Sequence, residues 1–456
     1  MGSKKIFEEI AKTPAIALEE GIEAVERIER SVINKKPFRV AEEYWNTLGP
    51  GLTTGAADDD PSGIATYSQT GAQYGFQLLW LALFTFPLMA VIQEMCARIG
   101  LVTGRGLASN IKRHYAAWVL YLCTGLLFVA NTFNLGADLG AMAKAVQLVA
   151  PHARFTLLII GFAAVSLLLQ IFTTYARYAK YLKYLALVLF SYVFSALVIR
   201  LDWHQIALHT ALPSMTFSKE QLFLICGILG TTISPYLFFW QTSQEVEEQI
   251  LKGKTTIRLR RDVQPKEIKD MRTDVWSGMF ISNLVMFFII VACAATLYAN
   301  GITNIASAEQ AAEALRPLAG EFAFLLFTLG VVGTGMLAVP VLAGSASYAL
   351  SESFGWKQGL YKKLKEAYPF YGVIIISMLI GLVLNFVHID PIKALIYSAV
   401  ANGVIAPVVL VLIVSISSNK RIMGDYMNGP VLRWIGWSTV ALMAVAGIAA
   451  IVSFFL

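Results

Sequence analysis

Gly49-Pro50-Gly51-Leu52-Thr53-Thr54-Gly55-Ala56-Ala57-Asp58-Asp59-Asp60-Pro61-Ser62-Gly63-Ile64-Ala65-Thr66-Tyr67 decides how the rest of this chain reads. It opens the first segment apolar enough to cross a bilayer, yet it holds three successive carboxylates and a helix-breaking Pro-Ser-Gly. In hydrocarbon an unpaired backbone amide or carbonyl is so costly that such a break persists only where protein buries it or where it lines a watery cavity. Charged side chains at that depth mark an ion or substrate path by default. The competing reading is a solvated surface loop between two short helices.

Composition fixes the environment. Of 456 residues, 57% are hydrophobic and 14% charged, with a mean hydropathy of +0.62. Soluble domains are about 45–50% apolar, so this is a polytopic membrane protein. The formal charge of +6 would suggest nucleic acid in a soluble chain; here the basic residues sit between apolar runs and no nucleic-acid partner is expected. Cys96, Cys123, Cys226 and Cys293 are scattered singly, without metal-ligand spacing, and read as small buried fillers. The polar N-terminus has no apolar h-region, so no cleavable signal peptide is expected.

Apolar runs of roughly the ~20 residues a membrane helix needs recur at about 49–72, 76–102, 117–149, 155–174, 180–201, 221–248, 275–299, 319–351, 371–389, 392–417 and 432–456, eleven in all. Residues 1–45 read as a cytoplasmic amphipathic segment, with Ile22, Val25, Ile28 and Val32 at helical spacing. Residues 46–456 read as the transmembrane domain. Lys and Arg collect in alternate connections: Arg105, Lys112 and Arg113 in the second, Arg177, Lys180 and Lys183 in the fourth, and Lys252 through Arg272 in the sixth. Lys357 to Lys365 follow in the eighth, and Lys420 with Arg421 in the tenth. The positive-inside rule then puts the N-terminus in the cytoplasm and Leu456 outside, as in a bacterial inner membrane.

A second interruption answers the first. Gly230-Thr231-Thr232-Ile233-Ser234-Pro235-Tyr236-Leu237-Phe238 places a proline at mid-depth of the sixth span, five spans after the first break. Paired interruptions in successive halves point to an inverted-repeat transporter whose site lies where the two unwound stretches meet. Freed carbonyls and the aspartates offer oxygen ligands, suited to hard ions such as Mg²⁺, Ca²⁺ or Mn²⁺. No GxxxxGK[ST] loop and no nucleophile-base motif occurs, so neither an ATP-driven pump, an enzyme nor a cofactor is expected.

The residues Gly49-Pro50-Gly51, Asp60-Pro61-Ser62-Gly63, Gly71-Ala72-Gln73-Tyr74-Gly75 with Leu78-Leu79-Trp80, and Ala97-Arg98-Ile99-Gly100 resemble the first two helices of the Nramp family of divalent-metal transporters. The resemblance continues through Gly230 to Pro235. It implies a LeuT-type fold: an all-α membrane protein of two inverted five-helix repeats, about 49–202 and 220–417, plus an extra helix at about 432–456, with the first and sixth helices broken. The family's Asp-Pro-Gly-Asn and Ala-x-x-Met-Pro-His motifs carry across to Asp60, with Gly63 at the asparagine, Thr231 at the alanine carbonyl, Ser234 at the methionine and Tyr236 at the histidine. Asp60 and Ser234 are then the metal ligands, helped by carbonyls around Ala57 and Thr231. Loss of the thioether and the asparagine, which enlarges the cavity, resembles the Nramp-related magnesium transporters, a divergent branch.

Asp58 and Asp59 could act through water, and Asn131, Asp138 and Asn402 are weaker lining candidates. Thr132 and Leu135 stand where the family carries acidic residues, which speaks against proton coupling. Glu94 reads as a partner of Arg98 one turn on. Glu245, Glu247 and Glu248 read as a solvated face, and Gly335 and Gly344 as close-packing positions; His388 and Asp390 read as interfacial. The leading expectation is a secondary transporter, a monomeric unit in the lipid bilayer, importing Mg²⁺ or Mn²⁺. The alternative keeps the fold and carries a monovalent cation or another small solute; a receptor or scaffold is the third reading.

Overall fold

The computed structural model describes residues 48–173, 190, 193–194, 201–305, 307–316, 320–387 and 390–455, and among these all regular structure is helical. The body, Gly49–Leu456, is built from α1 (Pro50–Asp58), α2 (Pro61–Tyr74), α3 (Trp80–Thr103), α4 (Leu107–His114), α5 (Ala117–Val149) and α6 (Phe155–Phe172). It continues with α7 (Lys219–Thr232), α8 (Pro235–Leu251), α9 (Pro265–Thr296), α10 (Ala323–Phe354), α11 (Tyr368–Leu384), α12 (Pro391–Ser417) and α13 (Pro430–Phe455). Ten of the eleven expected spans fall on these helices. Most of the fifth, with His388 and the N-terminal segment, lies outside the described residues.

Both expected interruptions are present, and proline chemistry explains their form. A proline ring clashes with the carbonyl four residues earlier and has no N–H to donate, but it suits the first helical position. Pro61 and Pro235 therefore end one helix and start the next: α1 stops at Asp58, α2 begins at Pro61, α7 stops at Thr232 and α8 begins at Pro235. The carbonyls four residues before these prolines belong to Ala57 and Thr231. Each must find a partner outside its own helix.

Burial orders the helices. Every residue of α1 is buried, and 89% of the most apolar window of Lys219–Leu251 is inside, against 22% for α6 and 28% for α13. The broken pair is central and α6 and α13 are peripheral, where Leu157, Leu168, Phe172, Val445 and Ile448 form an exposed apolar belt. Eight described helices are long and apolar enough to cross a membrane.

Small residues set the close contacts. A Cβ on Gly51 would lie 2.6 Å from the Val275 backbone, and one on Gly55 or Gly71 would collide with the carbonyl of Gly278 or Ile290, so α1 and α2 lie backbone to backbone on α9. Gly335 and Gly344 of α10 likewise receive Met142 and Trp240. All four cysteines are buried and free.

Two buried carboxylates of the long helices act on other elements. Gly49 precedes α1 and has no side chain to cap it. Asp274 of α9 supplies the cap, accepting from the amides of Gly49 (2.8 Å), Gly51 (2.6 Å) and Leu52 (3.0 Å). Glu94 of α3 lies 3.5 Å from Arg98 as expected, but it also accepts from Arg272 Nε (3.0 Å) and Nη2 (2.9 Å) and from Trp276 Nε1 (2.8 Å), which ties α3 to α9.

Candidate functional site

At the first break Asp60 turns its carboxylate back on its own chain. Its Oδ1 accepts from the Gly63 amide (2.7 Å) and Ser62 Oγ (2.6 Å), an N-cap for α2 that satisfies donors a helix start leaves open. Its Oδ2 accepts from Asn134 Nδ2 (2.9 Å) on α5, and Asn134 Oδ1 accepts from Ser398 Oγ (2.8 Å) on α12. Asp60 is completely buried.

The second break meets the first through Tyr236. Its hydroxyl donates to the Ala57 carbonyl at 2.8 Å and stands 3.5 Å from Asp60 Oδ2. Ser234 Oγ donates to the carbonyls of Thr231 (2.8 Å) and Gly230 (2.7 Å). Both carbonyls freed by the prolines are thus held by single hydroxyls that can rotate away. Gly63 faces Thr231: a Cβ there would lie 3.1 Å from Thr231 Oγ1 and 3.2 Å from the Asp58 carbonyl. The missing side chain does not enlarge a cavity, because the Thr231 hydroxyl takes up the space.

The three successive aspartates diverge. Asp58 Oδ2 accepts from Ser282 Oγ (2.9 Å) on α9 while its Oδ1 finds no donor, and neither oxygen of Asp59 finds one. Asp138, one turn beyond Asn134 on α5, is buried and has no donor on either oxygen. Asn402 on α12 is buried with its amide unpartnered. Among the described residues no Lys or Arg pairs with Asp58, Asp59, Asp60 or Asp138. Buried carboxylates without counter-charge demand a cation or protons. Among the described residues no three His, Cys, Asp or Glu side chains converge as a metal cage; the groups gathered at the two breaks are the Asp60 carboxylate, the Ala57 and Thr231 carbonyls and the Ser234 and Tyr236 hydroxyls.

Sequence reasoning named Asn131 and missed Asn134. Asn131 Nδ2 donates to Leu342 O (3.0 Å) and Ser345 Oγ (2.7 Å), fastening α5 to α10. Asn134 lies almost one turn on and faces Asp60; its spacing of four from Asp138 was the available signal. Glu247 and Glu245 correct the expected solvated face, since both are buried. Glu247 accepts from Tyr348 Oη (2.6 Å) and from the amides of Leu360 (3.0 Å) and Tyr361 (3.2 Å). Asp390 caps α12 through the amides of Ile392 and Lys393.

Known proteins share this fold. The chain is 27% identical over 403 residues to the divalent metal cation transporter MntH of Klebsiella pneumoniae, covering 87% of this chain and 91% of the relative. Among solved structures, the Eremococcus coleocola manganese transporter, crystallised with an aromatic bis-isothiourea compound, superposes with a TM-score of 0.73 at 16% identity, over 91% of this chain and 88% of that one. The nucleobase-cation-symport-1 family transporter Mhp1, closed around bromovinylhydantoin, follows with a TM-score of 0.57 at 14% identity, over 89% and 91%. The fold is LeuT-type, all-helical among the described residues, with the helices at the first and second interruptions broken. With residues 51–453 matching the natural resistance-associated macrophage protein-like family, the chain belongs to Nramp.

Proposed function

We propose that this protein is a secondary transporter that moves a hard divalent cation, Mg²⁺ or Mn²⁺, into the cytoplasm by alternating access. The observation that carries the reading is the buried Asp60 carboxylate at the meeting of two broken helices, surrounded only by oxygen and amide donors. Asp60 is the central ligand. Rotation of the Tyr236 and Ser234 hydroxyls opens the Ala57 and Thr231 carbonyls to the ion and lets Ser234 Oγ turn an oxygen toward it. Asp59 and Asp138 complete the charge through water. Sulfur and imidazole are missing from this set, which favours an ion that keeps part of its hydration over a softer transition metal. The divalent metal named for the Klebsiella relative and the manganese named for the Eremococcus transporter support the same class of cargo.

Transport runs without proton coupling in this reading. Thr132 spends its hydroxyl on the Phe128 carbonyl (2.7 Å) and Leu135 is apolar, which leaves Asp138 as the acidic group that α5 brings near Asp60. The N-terminus and the basic loops lie in the cytoplasm by the positive-inside rule, and the transport unit is a monomer in a bacterial inner membrane. Proteoliposomes loaded with a divalent-ion indicator and an internal pH dye test this. Mg²⁺ or Mn²⁺ influx without acidification is expected, abolished by Asp60→Ala. Equal fluxes in parent and variant would defeat the proposal.

A further inference from the structure

A cavity of about 300 Å³, away from Asp60, opens on the face that carries the basic connections. Its walls come from the turn between α3 and α4, from α8, from Arg260 in the connection after it, and from the end of α10 with the chain beyond. Arg105, Arg260, Lys357 and Lys362 line it, with Trp356 and Tyr361 among the lining residues. That volume matches a small-molecule site.

Two carboxylates, Glu247 and Glu352, also line the cavity. Their oxygens are already engaged: Glu247 by Tyr348 and the amides of Leu360 and Tyr361, and Glu352 by the Ser109 amide (2.7 Å) and Gln358 Nε2 (3.0 Å). The cations are less fully matched. Arg260 spends Nε on the Gly104 carbonyl (3.0 Å) and Nη1 on those of Lys254 (3.3 Å) and Thr255 (2.9 Å), all neutral acceptors, and Glu247 answers part of its charge. Arg105 has a buried Nε with no acceptor. Burial, then the neighbouring Arg113, Arg261 and Arg260, hold its guanidinium below the usual arginine range, against the opposing pull of Glu352. Guanidinium forks lining one cavity, with lysines beside them, offer the donors that an anion's oxygens take.

We infer that this cavity binds a phosphate-bearing anion, held by Arg105, Arg260, Lys357 and Lys362, with Trp356 and Tyr361 beside it. Arginine forks match phosphate oxygens bidentately and lysines add point charge. The aromatic pair provides a face for the rest of the ligand, and Trp356 already stacks on Phe354 at 4.8 Å. Ser243, Val246 and Ile250 of α8 share the wall. An anion bridging the α3–α4 turn and the chain after α10 therefore contacts the second half of a broken helix and restrains its movement. Phosphate can arrive on a soluble molecule or on a lipid headgroup, and the two sources share this recognition chemistry.

The test measures binding and so does not depend on transport. The full chain in nanodiscs of neutral lipid is titrated calorimetrically with inorganic phosphate, pyrophosphate and ADP, and its thermal stability is compared between neutral and phosphatidylglycerol nanodiscs. Saturable binding of a soluble anion identifies a soluble source. Stabilisation by the anionic lipid alone identifies a headgroup. In either case the double variant Arg105→Gln, Lys357→Gln is expected to weaken the effect tenfold or more, while Lys219→Gln, Lys393→Gln, which alters a different cavity, leaves it unchanged. Should the double variant lose its fold, Lys357→Gln with Lys362→Gln, both in the connection after α10, replaces it. Absence of saturable binding and of lipid stabilisation, or an effect equal in both cavity variants, overturns the inference.

Discussion

Placing an asparagine at position 63 tests why a glycine stands at this point of the site. In the structure a Cβ on Gly63 would sit 3.1 Å from Thr231 Oγ1, 3.2 Å from the Asp58 carbonyl and 3.4 Å from Tyr67 Cε2, tighter than side chains ordinarily pack at the first two contacts. Gly63→Asn therefore overfills a buried site and is expected to cost about 1–3 kcal/mol. Thr231→Ala alone removes a hydroxyl and a methyl group and costs about 1 kcal/mol. Combined, the two changes should cost less than their sum, because removing Thr231 Oγ1 removes the nearest obstacle. Side chains in contact couple by about 0.5–3 kcal/mol, and a value near 1 kcal/mol is expected here because the Asp58 carbonyl remains. Equilibrium unfolding of the parent, both single variants and the double variant in mixed micelles gives this coupling directly. If the two costs add to within about 0.5 kcal/mol, the glycine is not a steric answer to Thr231 and the argument fails.

Three further outcomes follow from the same geometry. Asn134→Ala removes the amide that fixes Asp60 Oδ2 at 2.9 Å and should weaken calorimetric Mg²⁺ or Mn²⁺ affinity about tenfold, the size of one hydrogen bond to a charged group; unchanged affinity would show that Asp60 needs no orientation from α5. Tyr236→Phe frees the Ala57 carbonyl, which should destabilise the ion-free protein by about 1 kcal/mol while increasing the thermal stabilisation that a divalent ion brings. A smaller ion-induced shift would mean that the hydroxyl, not the carbonyl, serves the ion. Asp274→Ala strands the amides of Gly49, Gly51 and Leu52 and should cost about 3 kcal/mol or more, read in the same unfolding assay; a loss under about 1 kcal/mol would mean that water replaces the cap.

The architecture was legible where the sequence is physically forced. Proline alone does not decide a break, since Pro87, Pro340 and Pro407 lie inside continuous helices; the breaks at Pro61 and Pro235 could be read because each stands among small and polar residues at matching places five spans apart. Apolar length gave the spans, and those that can be compared agree within about five residues except at the start of α9, which begins at Pro265 rather than at 275 because its first turns are polar. Packing and orientation were harder. Asn131 and Asn134 differ by three positions in one apolar helix, and a helix buried on most sides offers no polar face to show which of them meets the site. Only the neighbours decide, and α10 takes the first while Asp60 takes the second. Glu247 was misread for a related reason. A carboxylate beside a lysine-rich loop looks solvated until residues 360–361, more than a hundred positions away, fold back over it. Asp274 gave no local hint of its role at all, because the helix start it caps lies 225 residues earlier.

That distant cap has a mechanical corollary. With three amides clasped by one carboxylate, and glycine surfaces seated flush along the same contact, the leading half of the first interrupted helix cannot slide over α9 without first losing its anchor. The two travel as one lever. The joint left free to bend is the residue pair Asp59–Asp60, between the end of α1 and the start of α2, so on the proposed function the hinge and the ion's central ligand are the same stretch of chain.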